Sequence, residues 1–589
     1  MTKRGKKTAD IIVDTLRNWN VEVVFGLPGD GINGVFEALR KKKKNLKFIL
    51  VRHEESAAFM ACAYAKYTGK LGVCVATSGP GAIHLLNGLY DAKLDNTPVL
   101  AITGSTYSDL MGSGYHQDVD LVKAFSNVAK FDEMIMNAPH SKMIMDMACR
   151  SALSSKTVSH VTIPIDVQEQ ELDSPSGSKM LEHTTHSDHI MENRIPDKES
   201  TYQAAKILNS GKNIVILAGQ GAIGAGEELI QLGEKLGAPI IKALLGKSVI
   251  PEDHPLNLGG LGMIGTEPAS DAMSETDTLL LIGTSFPYLE YLPKPGKAKG
   301  VQIDINPEKL GIRYPIDVGL VGDSKSTIRE LIPKIKKRTN QKFLKSKQKA
   351  MKEWNKKLQK RARKANPLKP QYVASLISKE LKDNAIVSVD SGTNTVWAAR
   401  YIDIKKGMKF SLSGTLASMA CGLPYAIAGK IAYPKRQSVA LVGDGGFTML
   451  MGEFATAVQY NLPITVVVFK NNTLGMIRWE QMAFMGNPEY GVEFSDIDYA
   501  RFAEVCGGVG YSVKSSEEAK RIIPKALKNE KPTILEVVVD PFEPPVPPKV
   551  NNEFAANLAK SFVKGQPYKE RIGLTLFRDQ IHEVLKKKK

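Results

Sequence analysis

The chain has 589 residues, 43% hydrophobic and 24% charged, the balance of an ordinary soluble protein, long enough for about three to four domains and without an apolar run near the roughly 20 residues of a membrane span. Five scattered cysteines (Cys62, Cys74, Cys149, Cys421 and Cys506), with no CxxC pair, argue against structural disulfides and a thiolate metal site. The net charge is +17, but the basic runs lack interleaved aromatics, so solvated helix ends and a frayed tail are expected rather than a nucleic-acid partner.

The N-terminal MTKRGKKTADIIVDTL lacks the apolar core of a secretory signal, which makes the cytoplasm the expected location. Residues 1–180 alternate strand-like and helix-like segments. VEVVFGLPGDG, LGVCVATSGPG and TPVLAITG read as buried strands ending in glycine-rich loops, and VTIPIDV closes the series. This alternation predicts a parallel α/β sheet. Residues 171–200 are polar and irregular and suit a linker. A second α/β unit, 190–340, has NIVILAG, APIIKAL, TLLLIGT and KGVQIDI as strands. The basic stretch at 334–364 follows, read mainly as an exposed helix. A third unit, 365–545, has AIVSVDSG, SVALVGDG, ITVVVFKN and TILEVVV. The expected fold is α/β, three doubly wound parallel-sheet domains plus a short C-terminal tail, 546–589, that ends in Lys586–Lys589. The first and third units are alike in architecture, though not visibly in sequence.

Within the third unit, Gly443-Asp444-Gly445 ends one apolar run and Asn471-Asn472 ends the next. The stretch between them has helical spacing at Phe447, Leu450, Phe454, Ala457 and Val458. The unit reads strand, helix, strand, with an oxygen ligand at each strand end. A right-handed crossover brings both ends to one sheet edge. A carboxylate and an amide oxygen there suit a hard cation such as Mg2+ that also holds a diphosphate. Gly445 and Gly446 permit close approach to phosphate, and a helix N-terminus follows.

These motifs resemble those of thiamine-diphosphate enzymes. RHEESAAFMACAYAKYTGKLGVCVATSGPGAIHLLNGLYDA is similar to their pyrimidine-binding domain, the third unit to their diphosphate-binding domain, and the middle unit, with LIGTSFPYLEYL and VQIDINP, to their FAD-carrying domain. The resemblance covers residues 8–545. GSGYHQDVDL, VWAARY, GDGGFTMLMGEF and GVEFSDIDYARFAE are closer to pyruvate oxidases and quinone-linked pyruvate dehydrogenases than to acetolactate synthases.

The resemblance implies site residues. Glu54 takes the position of the glutamate that bonds the cofactor's aminopyrimidine and promotes its imino form, and the apolar Ala57, Ala58 and Phe59 beside it suit a raised proton affinity. Arg52-His53-Glu54-Glu55 alone also reads as a surface charge cluster; the metal motif decides for catalysis. Asp444, Asn471 and the Thr473 backbone carbonyl are the implied Mg2+ ligands, with Leu474-Gly475-Met476 setting the register. Ser391, Gly392, Thr393 and Asn394 read either as diphosphate contacts or as an ordinary capped turn. Ser418 and Met419 occupy the cofactor-facing loop, Met419 as the wedge that keeps the cofactor bent. Thr77 and Gly79 fall in the loop facing the thiazolium, and Gly26-Leu27-Pro28-Gly29 in the loop at the substrate end. His116 departs from the family's usual phenylalanine before Gln117. It reads as a substrate-carboxylate contact or as a tolerated polar substitution. Glu480, after Trp479, matches a loop that closes over the active site in some oxidases. The FAD pattern maps onto Leu261, Gly262, Met263, Ile264, Thr284, Ser285, Phe286, Pro287, Tyr288 and Asp304, with Gly219-Gln220-Gly221 opening the domain.

By resemblance, then, the chain oxidatively decarboxylates a 2-oxo acid, foremost pyruvate, using thiamine diphosphate, Mg2+ and FAD. The alternative is a non-redox carboligase of the acetolactate-synthase type. The resemblance also implies a homodimer or homotetramer, with Glu54 and Asp444 of each active site coming from different subunits. The end of the tail, YKERIGLTLFRDQIHEVLKKKK, is expected to pack on the subunit surface rather than on a membrane.

Overall fold

The computed structural model describes residues 6–172, 194–549 and 552–585, with side chains through 577. Of the expected linker at 171–200, residues 173–193 lie outside the described residues, as do the terminal lysines 586–589, while Glu171–Leu172 form a strand and the helix Lys198–Ser210 begins inside the expected stretch. Three six-stranded sheets form the framework. The first runs Lys47–Leu50, Val23–Gly26, Gly72–Ala76, Val99–Ser105, Val158–Pro164, Phe131–Met134, and every pairing is parallel. Numbered by chain position within the sheet, that order is 2-1-3-4-6-5. The third sheet runs Lys409–Ser411, Ile386–Val389, Ser438–Gly443, Ile464–Lys470, Thr533–Val538, Val509–Val513, again 2-1-3-4-6-5. The middle sheet runs Asn257–Gly260, Ile240–Lys242, Ile214–Ala218, Thr278–Ile282, Lys299–Asp304, Val318–Val321. Its order, 3-2-1-4-5-6, is that of dinucleotide-binding folds.

The strands are short, rich in valine and isoleucine and buried throughout their centres, as parallel strands covered on both faces must be. The chain forms two compact units. One contains the segments up to 192, 411–438 and 449–464, and the other contains 193–410, 439–448 and from 465 onward. Within the first unit the helices Glu54–Thr68 and Gly422–Ala432 pack together. Both are buried nearly all round, because EESAAFMACAYAKYT and GLPYAIAGKIA have no continuous polar face and need cover on several sides.

That packing encloses a charge. The Lys66 ammonium donates to Asp95 at 2.7 Å, to the Tyr425 hydroxyl at 2.7 Å and to the Leu412 carbonyl at 2.9 Å. Asp95 also accepts the backbone N–H groups of Gly414 and Thr415, both at 2.8 Å, and the Tyr425 hydroxyl donates to Asp91. Burial opposes the Lys66 charge, but Asp91 and Asp95 raise its pKa well above the usual lysine value.

In the second unit the tail forms helices Asn552–Val563 and Lys569–Leu585. Ile572 is buried against Trp479, Met482 and Phe542, so this part of the tail packs on its own chain. Among the described residues no helix is long and apolar enough to cross a membrane.

Candidate active site

Each sheet has a point beside its first strand where the connections of neighbouring strands leave in opposite directions, and ligands of open parallel sheets bind outside the strand carboxyl ends at such points. In the first sheet that point lies between Val23–Gly26 and Gly72–Ala76. The Gly31 N–H donates to Thr77 Oγ1 at 3.1 Å, and a Cβ on Gly29 would lie 2.6 Å from the Thr77 side chain. Ser78 Oγ donates to Gln117 Oε1 at 2.6 Å. Gly79 has φ +58°, and a Cβ there would stand 2.8 Å from Gln117 Cβ. Thr77, Gly79 and Gln117 therefore converge, whereas His116 lies exposed.

Glu54 opens the helix Glu54–Thr68, where its charge is favoured by the helix dipole. It is 6% exposed, which removes it from any surface charge cluster. Its Oε2 lies 3.0 Å from His84 Nδ1, and a Cβ on Gly81 would come within 3.0 Å of Oε1. The His84 ring stacks on His53 at 4.5 Å, and His53 caps the helix by accepting the Glu55 N–H at 3.1 Å. Neither histidine was singled out as a site residue in the sequence: His84 is 30 positions beyond Glu54, a separation that no local pattern encodes. Ser418 and Met419 belong to this same unit. Ser418 Oγ accepts from Asn87 at 3.0 Å, and Asn87 also donates to Glu55 at 2.7 Å.

The third sheet changes direction between Ile386–Val389 and Ser438–Gly443, and the candidate metal ligands lie beyond those ends. Asp444 is buried. Its carboxylate accepts the N–H groups of Gly445 and Asn471 at 2.9 Å and of Asn472 at 2.6 Å. Burial raises its pKa in spite of those donors. Asn471 Oδ1 accepts the Thr473 N–H at 3.2 Å, while Asn472, at φ +53°, turns away to donate to Asp496 at 3.1 Å. The Thr473 carbonyl accepts the Gly475 N–H at 2.8 Å; its Oγ1 is buried and has no hydrogen-bond partner among the described residues. Lys470, the residue before Asn471, pairs with Asp496 at 2.8 Å and Glu536 at 3.3 Å.

The glycines admit little else. A Cβ on Gly445 would strike the Phe494 ring at 2.8 Å, and one on Gly475 would lie 3.0 Å from Asn471 Nδ2 and 3.2 Å from Thr393 Cγ2. Gly446 follows in the buried first turn of the helix Asp444–Met449, and Leu474 and Met476 flank Gly475. Gly392 has φ +130° and precedes the helix Thr393–Tyr401. Asn394 turns inward, donating to the Asp390 carbonyl at 2.6 Å and the Leu441 carbonyl at 3.0 Å. Both its amide hydrogens therefore tie strand ends together. The donor set of Asp444, Asn471 and Thr473 consists of oxygens, as a hard cation requires. A buried carboxylate of raised proton affinity gains from one.

The middle sheet turns between Ile214–Ala218 and Thr278–Ile282. The Gly221 N–H donates to the Gly283 carbonyl at 2.9 Å, joining the two loops. Gly262 has φ +93°, and a Cβ on it would lie 3.5 Å from the Phe286 ring, so the loops carrying Leu261–Ile264 and Thr284–Tyr288 meet. Leu261, Thr284 and Phe286 are buried, Ser285 is intermediate, and Pro287 and Tyr288 are exposed. Asp304 ends its strand and accepts the Asn306 N–H at 3.0 Å. Glu480 begins the π-helical turn Glu480–Phe484, a distortion common at functional sites. A cavity in this unit is lined by Glu480, Trp479, Met476, Met263 and Pro544 among others.

Three family descriptions match the chain: thiamine pyrophosphate enzyme N-terminal TPP binding domain over 6–124, central domain over 201–331, and C-terminal TPP binding domain over 390–537. A thiamine pyrophosphate-containing protein of Bacillus subtilis, YdaP, is 41% identical over 568 residues, 96% of this chain and 97% of its own. The pyruvate oxidase of Lactiplantibacillus plantarum is 31% identical over 532 residues, 90% and 88% of the two chains. The acetolactate synthase large subunit of Corynebacterium glutamicum is 31% identical over 557 residues, 90% and 86% of the two chains.

Proposed function

The chain belongs to the thiamine pyrophosphate enzyme family, and we propose that it oxidatively decarboxylates a 2-oxo acid, pyruvate first among candidates, with FAD as the electron acceptor. The observation that carries the oxidative reading is the cavity shared by Glu480, Trp479, Met476 and Met263. It brings the turn proposed to close over the thiamine cofactor beside the loop proposed to hold the flavin. Electron transfer between two cofactors needs such proximity; acetolactate synthases also keep FAD, without net redox use.

When bound, thiamine diphosphate supplies the nucleophilic carbon and the electron sink for decarboxylation, and FAD accepts two electrons. The protein's part is positional and electrostatic. Asp444, Asn471 and the Thr473 carbonyl hold Mg2+ with the diphosphate, and the N–H groups after Gly445 and Gly392 face the remaining phosphate charge. Glu54 bonds the aminopyrimidine ring nitrogen and holds the proton there. The exposed His84 side chain occupies one carboxylate oxygen and can yield it. Met419 would pack against the cofactor, and Gln117 and His116 would stand on the substrate side. Gly262, Met263 and the Thr284–Tyr288 loop would hold FAD, with Asp304 at the end of the strand Lys299–Asp304 beside them. Glu54 and Asp444 serve one active site from two subunits, so a homodimer is the minimum assembly.

The acetolactate synthase relative is as similar as the pyruvate oxidase relative, which makes carboligation the second reading. Purified protein loaded with thiamine diphosphate, Mg2+ and FAD and given pyruvate without oxygen separates the two. Bleaching of the flavin absorbance is the expected result. A flavin that stays oxidised while acetolactate accumulates would overturn the oxidative reading.

A further inference from the structure

Arg400 lies near the C-terminal end of the helix Thr393–Tyr401, whose first turn follows Gly392 at the proposed diphosphate site. Its guanidinium donates to four backbone carbonyls. Nη2 reaches Met263 at 2.9 Å, Nε is shared between Ile264 and Gly265 at 3.3 Å each, and Nη1 reaches Val546 at 2.7 Å. Three consecutive carbonyls of the proposed flavin loop thus converge on one side chain, and the fourth belongs to the proline-rich segment bordering the same cavity. The loop is also closed by its own backbone, the Gly265 N–H donating to the Gly262 carbonyl and the Thr266 N–H to the Gly260 carbonyl, each at 3.0 Å, while Leu261 is buried and Gly262 lies against Phe286.

The chemistry suits arginine alone. Four carbonyl acceptors match its fixed fork of five donors, whereas a lysine offers three donors from one point. Among the described residues no carboxylate forms an ion pair with Arg400, so its charge is met by carbonyl oxygens and by the negative end of its own helix. Burial lowers its pKa to about 10, which still leaves it protonated at neutral pH. The helix has nine residues, about 13 Å at 1.5 Å per residue. Its N-terminal end faces the diphosphate turn and its C-terminal end grips the loop.

We propose that Arg400 is a positioning residue that sets the Met263–Gly265 loop for flavin binding and ties that loop, through its helix, to the diphosphate-binding turn. This rests on the flavin reading above. The test titrates FAD into flavin-free wild-type, Arg400→Ala and Arg400→Lys protein, following flavin fluorescence, with Mg2+-thiamine diphosphate affinity measured in parallel by calorimetry. Arg400→Ala is expected to weaken FAD binding at least tenfold, and added guanidinium ion to restore most of the loss. Arg400→Lys should recover only part of the affinity. Saturating thiamine diphosphate should tighten FAD binding in wild type and lose that influence in Arg400→Ala, because coupling between two sites is reciprocal. If Arg400→Ala does not fold, a folded Arg400→Lys variant with wild-type FAD affinity overturns the proposal, as does a folded Arg400→Ala variant with unchanged affinity. Wild-type protein that takes up no FAD would sink the flavin reading and this proposal together, a result visible in the wild-type titration alone.

Discussion

In the first sheet the loop after the third strand is Thr77–Gly81, and the acid beside it, Glu54, comes from the helix after the second strand. In the third sheet, of identical strand order, the loop after the third strand itself carries the acid, Asp444. Both carboxylates are buried, yet their partners differ in kind. Asp444 is held by three main-chain N–H groups that cannot move away. Glu54 faces a histidine side chain that is 46% exposed and can exchange places with a ligand. Fixed neutral donors around a desolvated acid suit permanent cation binding, and an exchangeable partner suits an acid that hands protons to and fro. The two sheets agree again away from the edge. In the first, His160 of the sixth strand bonds Thr103 of the fourth at 2.8 Å and Asp132 of the fifth at 2.7 Å. In the third, Glu536 of the sixth strand bonds Lys470 of the fourth at 3.3 Å and Ser512 of the fifth at 2.8 Å. One framework thus presents two buried acids in different surroundings, set by which side chain stands at each strand end.

The largest break in this comparison should come from Glu54→Gln. Turnover should fall about 10²- to 10⁴-fold, the scale of general acid–base catalysis, while cofactor affinity stays near wild type; steady-state kinetics beside calorimetry would show whether the two separate. Lys66→Met should come next. It strands Asp91 and Asp95 as buried acids, a change that costs about 3–5 kcal/mol, read as a lowered urea midpoint. A loss below about 1 kcal/mol would mean the acids are simply protonated.

Asp444→Ala should weaken Mg2+-dependent cofactor binding at least about tenfold, and an unchanged affinity would remove the metal role. The pH dependence has a definite sign. Because the folded-state pKa of Asp444 lies above its ordinary value, protons compete with the cation as pH falls through it, and affinity should decline toward acid. In the metal-free protein the same shift lowers stability as pH rises through that pKa, and Mg2+ should reverse this in wild type but not in Asp444→Ala. The smallest effect concerns His160. Burial lowers its pKa although Asp132 favours its charge. The unfolded chain therefore binds that proton first, and stability should drop as pH falls below about 6.5 toward the folded pKa. Chemical unfolding at pH 7 and pH 5.5 should show the slope, and His160→Gln should flatten it.

Much of this was legible along the chain because strands, glycine loops and strand-end acids are local features. Apolar runs such as VALVG and ITVVVF commit to buried parallel strands wherever they stand, and Gly443-Asp444-Gly445 announces a strand end from three adjacent residues. The resemblance implies Asn471 as the ligand, and the structure adds its own reason: Asn472 is turned toward Asp496. Asn394, which the sequence reads either as a phosphate contact or as a capped turn, has its amide occupied by two strand carbonyls.

By itself, then, the amino-acid order determined the α/β class, the three sheets and the acids at their edges, since periodicity and turn chemistry act over a few residues. Only the tertiary structure decided that His84 meets Glu54, that Lys66 is sealed between two aspartates and that Arg400 grips a loop more than a hundred positions earlier. Those pairings depend on which surfaces the folded sheets and helices bring together, and no local pattern carries that information.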